Sequence, residues 1–166
     1  MGTRYFYLFT LTLALGCAPD SQGDCALADI HNPRENPGDL YRCRDALLNG
    51  GKGCGPDGYP VAFAAKYAEI YMWAVYPELS VEGQRFLDAN LICLQSAFRE
   101  DTAVEMTCEQ VAQAGFAAHP ACYLSSGICD LDFRDRLKIF SAIQAEDLGR
   151  PGQSQAFGEI ASNCAQ

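Results

Sequence analysis

Cysteine is the residue type through which this chain could do most chemistry. It occurs at Cys17, Cys25, Cys43, Cys54, Cys93, Cys108, Cys122, Cys129 and Cys164. A thiol can attack a substrate, ligate a soft metal or be oxidised to a bridge. Structural zinc asks for closely spaced pairs such as Cys-x-x-Cys, and covalent haem for Cys-x-x-Cys-His; neither pattern occurs. The eight cysteines after Cys17 are therefore expected to form four disulfides, which leaves no thiol nucleophile and many possible pairings.

The other candidate groups are sparse. His31 and His119 are the two histidines, and neither sits in a recognisable pattern with a serine or a thiol. His119 precedes Pro120 and reads as a residue that packs or caps at a helix break. Asp130, Asp132 and Asp135 could suggest calcium, but Phe133 and Arg134 interrupt the alternation of oxygen ligands that an EF-hand loop needs. Asp130 or Asp132 reads more simply as a helix cap. The loop from Asn49 to Gly58 is rich in glycine and contains Lys52, yet Gly53 follows that lysine where a phosphate loop needs Ser or Thr. No catalytic constellation, metal site or cofactor is expected.

Residues 1–16 carry Arg4 and then an apolar run too short to span a bilayer, which suits a secretory signal. The run ends Leu13-Ala14-Leu15-Gly16-Cys17, which resembles the lipobox of bacterial lipoproteins. That resemblance implies cleavage before Cys17 and lipidation of its sulfur. The expected location is secreted or cell envelope, lipid-anchored, in an oxidising compartment. Without Arg4, the 12 basic residues fall to 11 against 21 acidic ones. So acidic a chain repels nucleic acid and anionic membrane surfaces, and any membrane association would run through the lipid anchor.

These residues need elements to hold them. Residues 17–37 are polar and proline-containing and read as a tether; 38–166 read as one helical domain. A short helix over 39–48 would carry Leu40, Cys43 and Leu47 on one face. Pro60 opens a helix to about Val75, with an aromatic stripe at Phe63, Tyr67, Ile70 and Tyr71. Trp73 and Tyr76 lie off that stripe and could serve as surface anchors. Ser80 caps a helix over 81–99 with Leu87, Leu91, Leu94 and Phe98 inward. Further helices are expected over 103–117, over a short piece starting at Pro120 and ending by Gly127, and over 132–146. The last of these would turn Phe133, Leu137, Phe140 and Ile143 inward. A final helix would place Phe157, Ile160, Ala161 and Cys164 on one face. No run alternates with a period of two, so the fold class is all-α, a single-domain bundle of five or six helices.

Cys54-Gly-Pro-Asp-Gly58, the segment Leu79-Ser-Val-Glu-Gly-Gln-Arg-Phe-Leu87, Leu91-Ile-Cys93, Cys108, Cys122-Tyr123, Cys129 and Asn163-Cys164 occur in an order that resembles the stanniocalcin family of secreted, cysteine-rich helical hormones. The resemblance covers about residues 40–166. It implies the pairs Cys93–Cys122, Cys129–Cys164 and Cys54–Cys108, with Cys25–Cys43 following by elimination. An extra N-terminal bridge, a later C-terminal segment with its dimer-linking cysteine, and glycosylation sequons have no counterpart here, so a covalent dimer is not expected. By this resemblance the chain is a non-enzymatic ligand that acts on a protein partner by signalling or by inhibiting a protease. The alternatives are a structural or calcium-binding envelope lipoprotein and an envelope enzyme of unknown type.

Overall fold

The computed structural model describes Cys25 and residues 34–165. The 1–16 leader, Cys17, His31 and most of the tether lie outside the described residues. Among the described residues the fold is all-helical and has no strand. Six helices make the bundle: α1 (Asp39–Gly51), α2 (59–75), α3 (Val81–Asp101), α4 (Cys108–Ser125), α5 (Phe133–Ser141) and α6 (Gln153–Cys164). Short 3₁₀ turns, Tyr76–Glu78 and Ile128–Asp130, link α2 to α3 and α4 to α5.

The middle of the bundle is α2. It runs as a π-type segment Tyr59–Ala65, an α-helical turn Lys66–Glu69 and a second π-type segment Ile70–Val75. A π-helix turns less per residue than an α-helix, so alternating the two keeps residues four apart in one straight row. Tyr59, Phe63, Tyr67 and Tyr71 form that row, each ring 4.7–6.3 Å from the next, centroid to centroid. The row packs on Tyr41 of α1, Phe98 of α3 and Phe116 and Tyr123 of α4, with Ile139 and Ile160 closing one continuous core.

Four disulfides staple these helices: Cys25–Cys43, Cys54–Cys108, Cys93–Cys122 and Cys129–Cys164, with Cα–Cα separations of 5.0–5.6 Å. The last three are the pairs that the stanniocalcin resemblance implies, and Cys25–Cys43 is the one expected by elimination. Each bridge lies where two elements meet, which is the distance a disulfide can span without moving the backbone.

Several boundaries differ from expectation. Residues 103–117 do not begin a helix: α4 starts at Cys108, because Thr107 and Gln110 form a reciprocal capping box there. Pro120 does not start a new helix but lies inside α4. A proline at 120 cannot donate to the Phe116 carbonyl four residues back. The His119 ring lies at this point: Nδ1, which must carry the proton, donates to the neighbouring Gly115 carbonyl at 2.8 Å, close to the carbonyl of Phe116. In α1 the inward residues are Leu40, Tyr41, Asp45 and Leu48, while Cys43 and Leu47 are half-buried.

The helix expected over 132–146 ends at Ser141. The chain leaves it so that Asp147 can turn back to α2, where its carboxylate accepts from Lys66 Nζ (2.8 Å), Tyr67 Oη (2.7 Å) and Arg150 Nε (2.6 Å). Helix α5 is also rotated from expectation. Asp135 and Ile139 face inward, and Ile143 just past the helix is buried as expected, while Phe133 is 74% and Leu137 54% exposed. The pull comes from Asp135, whose carboxylate accepts from the backbone N–H (3.2 Å) and hydroxyl (2.5 Å) of Ser80 at the start of α3.

Candidate docking face

The buried chemistry is occupied by structure. The glycine-rich loop after α1 presents backbone N–H groups as a phosphate loop would, but Asp45 fills it, accepting from Cys54 N (2.9 Å) and Gly55 N (3.1 Å). His119 lies between the rings of Phe116 and Tyr123, and burial pushes its pKa down to about 4 against the pull of the Gly115 and Phe116 carbonyls. Burial raises Asp147, but the hydrogen bonds from Lys66, Tyr67 and Arg150 outweigh it and hold the carboxyl at about 2. The phenol of Tyr67 is pushed up to about 12 by burial and by Asp147. The tyrosine row encloses a cavity of about 30 Å³, room for a water and for no organic ligand. Among the described residues no group of three or more His, Cys, Asp or Glu side chains comes together as a metal site. Asp132 caps α5 by accepting from Asp135 N at 2.8 Å, and Asp135 is taken by Ser80.

The unsatisfied surface lies on α5 and α6. Helix α5 packs on the C-terminal part of α2 and only loosely on α6, so a cleft of about 560 Å³ opens between α5 and α6. Its walls are apolar: Ile128, Phe140, Leu148, Phe157 and Ile160, with Cys164 of the Cys129–Cys164 bridge at the end of α6. Phe133, Arg136, Leu137 and Phe140 recur at helical spacing along α5, so the exposed pair Phe133 and Leu137 continues the cleft's apolar wall onto the open surface. Leaving two such side chains in water forgoes roughly 1.5–3 kcal/mol each, which a partner covering them would recover. Arg136 sits in the cleft with its Nε buried and without a hydrogen-bond partner.

Two other surfaces are less open to a partner. A cleft of about 440 Å³ between α4 and α6 mixes Phe116 and Pro120 with Gln113, Gln155 and Glu159. Trp73 is 58% exposed, and its indole N–H reaches the Arg34 carbonyl at 3.4 Å. Near it, Arg34, Tyr76 and Asp88 hydrogen-bond one another, with the Arg34 guanidinium 4.6 Å above the Tyr76 ring. That cluster satisfies itself.

Sequence reasoning placed Phe133 and Leu137 in the core and gave Asp45 and Asp147 no role. The signal for α5 was present but divided: apolar residues at 133, 137 and 140 compete with Ile139 for the inward side. The Ser80–Asp135 bond decides between them, and it joins residues far apart in sequence.

Four disulfides suit an oxidising compartment outside the cytoplasm. No helix among the described residues is long and apolar enough to cross a membrane. No protein-family model, curated protein or solved structure matches the chain.

Proposed function

We propose that this protein is a non-enzymatic, extracytoplasmic ligand that works by docking on another protein through the α5–α6 face. The observation that carries this reading is the exposed pair Phe133 and Leu137, which with half-buried Phe140 makes an apolar stripe along α5 that leads into an apolar cleft of about 560 Å³. Contiguous apolar surface of this kind marks interaction sites. The four bridges support it further, because a preorganised surface loses little entropy on binding. The stanniocalcin resemblance of residues 40–166 favours a signalling or protease-inhibiting ligand. The lipobox-like ending at Cys17 favours release or lipid anchoring at the cell envelope.

The test is affinity capture from envelope and culture fluid with the oxidised protein and with Phe133→Ser/Leu137→Ser. A specific protein partner retained by the native chain and lost by the double variant is expected. A partner retained equally by both would move the docking face elsewhere, and recovery of no partner under several conditions would count against a protein-binding role.

A further inference from the structure

We infer that the partner element seated on this face is an acidic amphipathic helix, with its apolar side chains between α5 and α6 and a carboxylate on Arg136. The inference rests on the docking reading above and adds the chemistry of the occupant. Phe133, Leu137 and Phe140 extend over two turns of α5, roughly 10 Å along its axis at about 1.5 Å per residue. Beyond them the wall passes into the cleft toward Phe157 and Cys164. A small ligand would fill the cleft and leave Phe133 and Leu137 in water. A ridge of large side chains at helical spacing covers both.

Charge selects the kind of helix. The protein carries a net charge of −9, yet α5 holds Arg134, Arg136 and Lys138 within nine residues, with Arg136 on the cleft side and Arg134 and Lys138 on the opposite flank. The acid of that helix, Asp135, is buried against Ser80 and does not offset them at the surface. Lys138 is engaged by Glu78, its Nζ donating to the Glu78 backbone carbonyl and lying 4.0 Å from Oε2. Arg134 and Arg136 make no ion pair among the described residues. Arg136 also brings its buried, unpartnered Nε into the apolar cleft, where a carboxylate can accept from a guanidinium in two parallel hydrogen bonds. Asp130 and Asp132 are exposed at the N-terminal end of α5, and Arg136 is the one of the three cations that lines the cleft, so the partner's acids belong toward Arg136 and Phe140. A flat anionic membrane could meet Phe133 but could not enter the cleft to reach that guanidinium.

The test is selection from a displayed library of helical peptides, randomised among Leu, Phe, Ser, Glu and Lys at surface positions, on the full oxidised chain. Enriched peptides are expected to carry Leu or Phe at helical spacing and an excess of Glu. Their affinity should fall at least tenfold in Arg136→Glu and be lost in Phe133→Ser/Leu137→Ser. Enrichment that needs Phe133 and Leu137 but shows no acidic bias, or is indifferent to Arg136→Glu, overturns the acidic helix and leaves the docking face standing. Failure to enrich any peptide that depends on Phe133 and Leu137 counts against both. Phe133-dependent sedimentation with vesicles of phosphatidylcholine and phosphatidylglycerol, without peptide selection, would replace the helix with a membrane surface.

Discussion

Gly115 of α4 lies flat against the ring of Tyr59 in α2, so closely that a β-carbon at position 115 would overlap the aromatic carbons. Both residues are buried, and Tyr59 also packs edge-on to Phe116 with centroids 4.9 Å apart. The approach of α2 to α4 is thus set by a missing side chain. Gly115→Ala is expected to destabilise the fold by about 1–3 kcal/mol through overpacking, despite the better helix propensity of alanine. Chemical denaturation checks this, and a stabilised variant would mean that the two helices are not so closely apposed.

The pH profile of stability should show two acid-side steps. His119 is neutral in the fold with a pKa near 4, whereas a free histidine titrates at about 6.5, so the unfolded chain binds the extra proton first. Stability is fully present above about pH 6.5 and falls between there and about pH 4, by at most about 3 kcal/mol. His119→Asn, which keeps a donor for the α4 carbonyls, should flatten that step in denaturation series measured from pH 7 to pH 4.

Asp147 gives the second step. Its folded pKa of about 2 lies below the ordinary carboxylate value, so its contribution is present above about pH 4 and is lost as the pH falls toward 2. Asp147→Asn should cost about 2–4 kcal/mol at neutral pH, because Lys66 and Arg150 lose the negative charge and one of the two acceptor oxygens they share. Thermal unfolding of the variant reads this directly.

Bridge removal should be costly and graded only weakly with loop length. Cys129→Ser/Cys164→Ser opens a 35-residue loop and Cys54→Ser/Cys108→Ser one of 54 residues. Each should lose roughly 3–4 kcal/mol on the chain-entropy relation. Non-reducing peptide mapping should recover the four pairs, and a Cys93–Cys108 peptide would contradict the fold.

Much of this architecture was legible in local signals. The cap at Ser80, the aromatic row of α2 and the inward stripe of Leu87, Leu91 and Phe98 all depend on neighbours within a turn or two. Two of the failures at α5, its early end and its rotation, share one cause. Past the end of α5, Asp147 turns back to Arg150 and to Lys66 and Tyr67, which lie 81 and 80 residues away on α2. The exposure of Phe133 and Leu137 follows from the distant bond between Asp135 and Ser80. A helical stripe gives the spacing of apolar residues, but a long-range polar contact fixes which of two stripes turns inward.

Since Phe133 and Leu137 are surface residues here, Phe133→Ser/Leu137→Ser should change stability by no more than about 0.5 kcal/mol per site. A loss of several kcal/mol in denaturant unfolding would return both residues to the core and remove the docking face.

The most direct measurement of that face is photo-crosslinking from its centre. A p-benzoylphenylalanine in place of Phe133 is compared with one in place of Ala117, which lines the α4–α6 cleft. The expected result is a protein adduct from position 133, competed by excess native chain but not by Phe133→Ser/Leu137→Ser, with none from position 117. Adducts from position 117 and none from 133 would contradict the assignment of the α5–α6 face as the site where this protein binds.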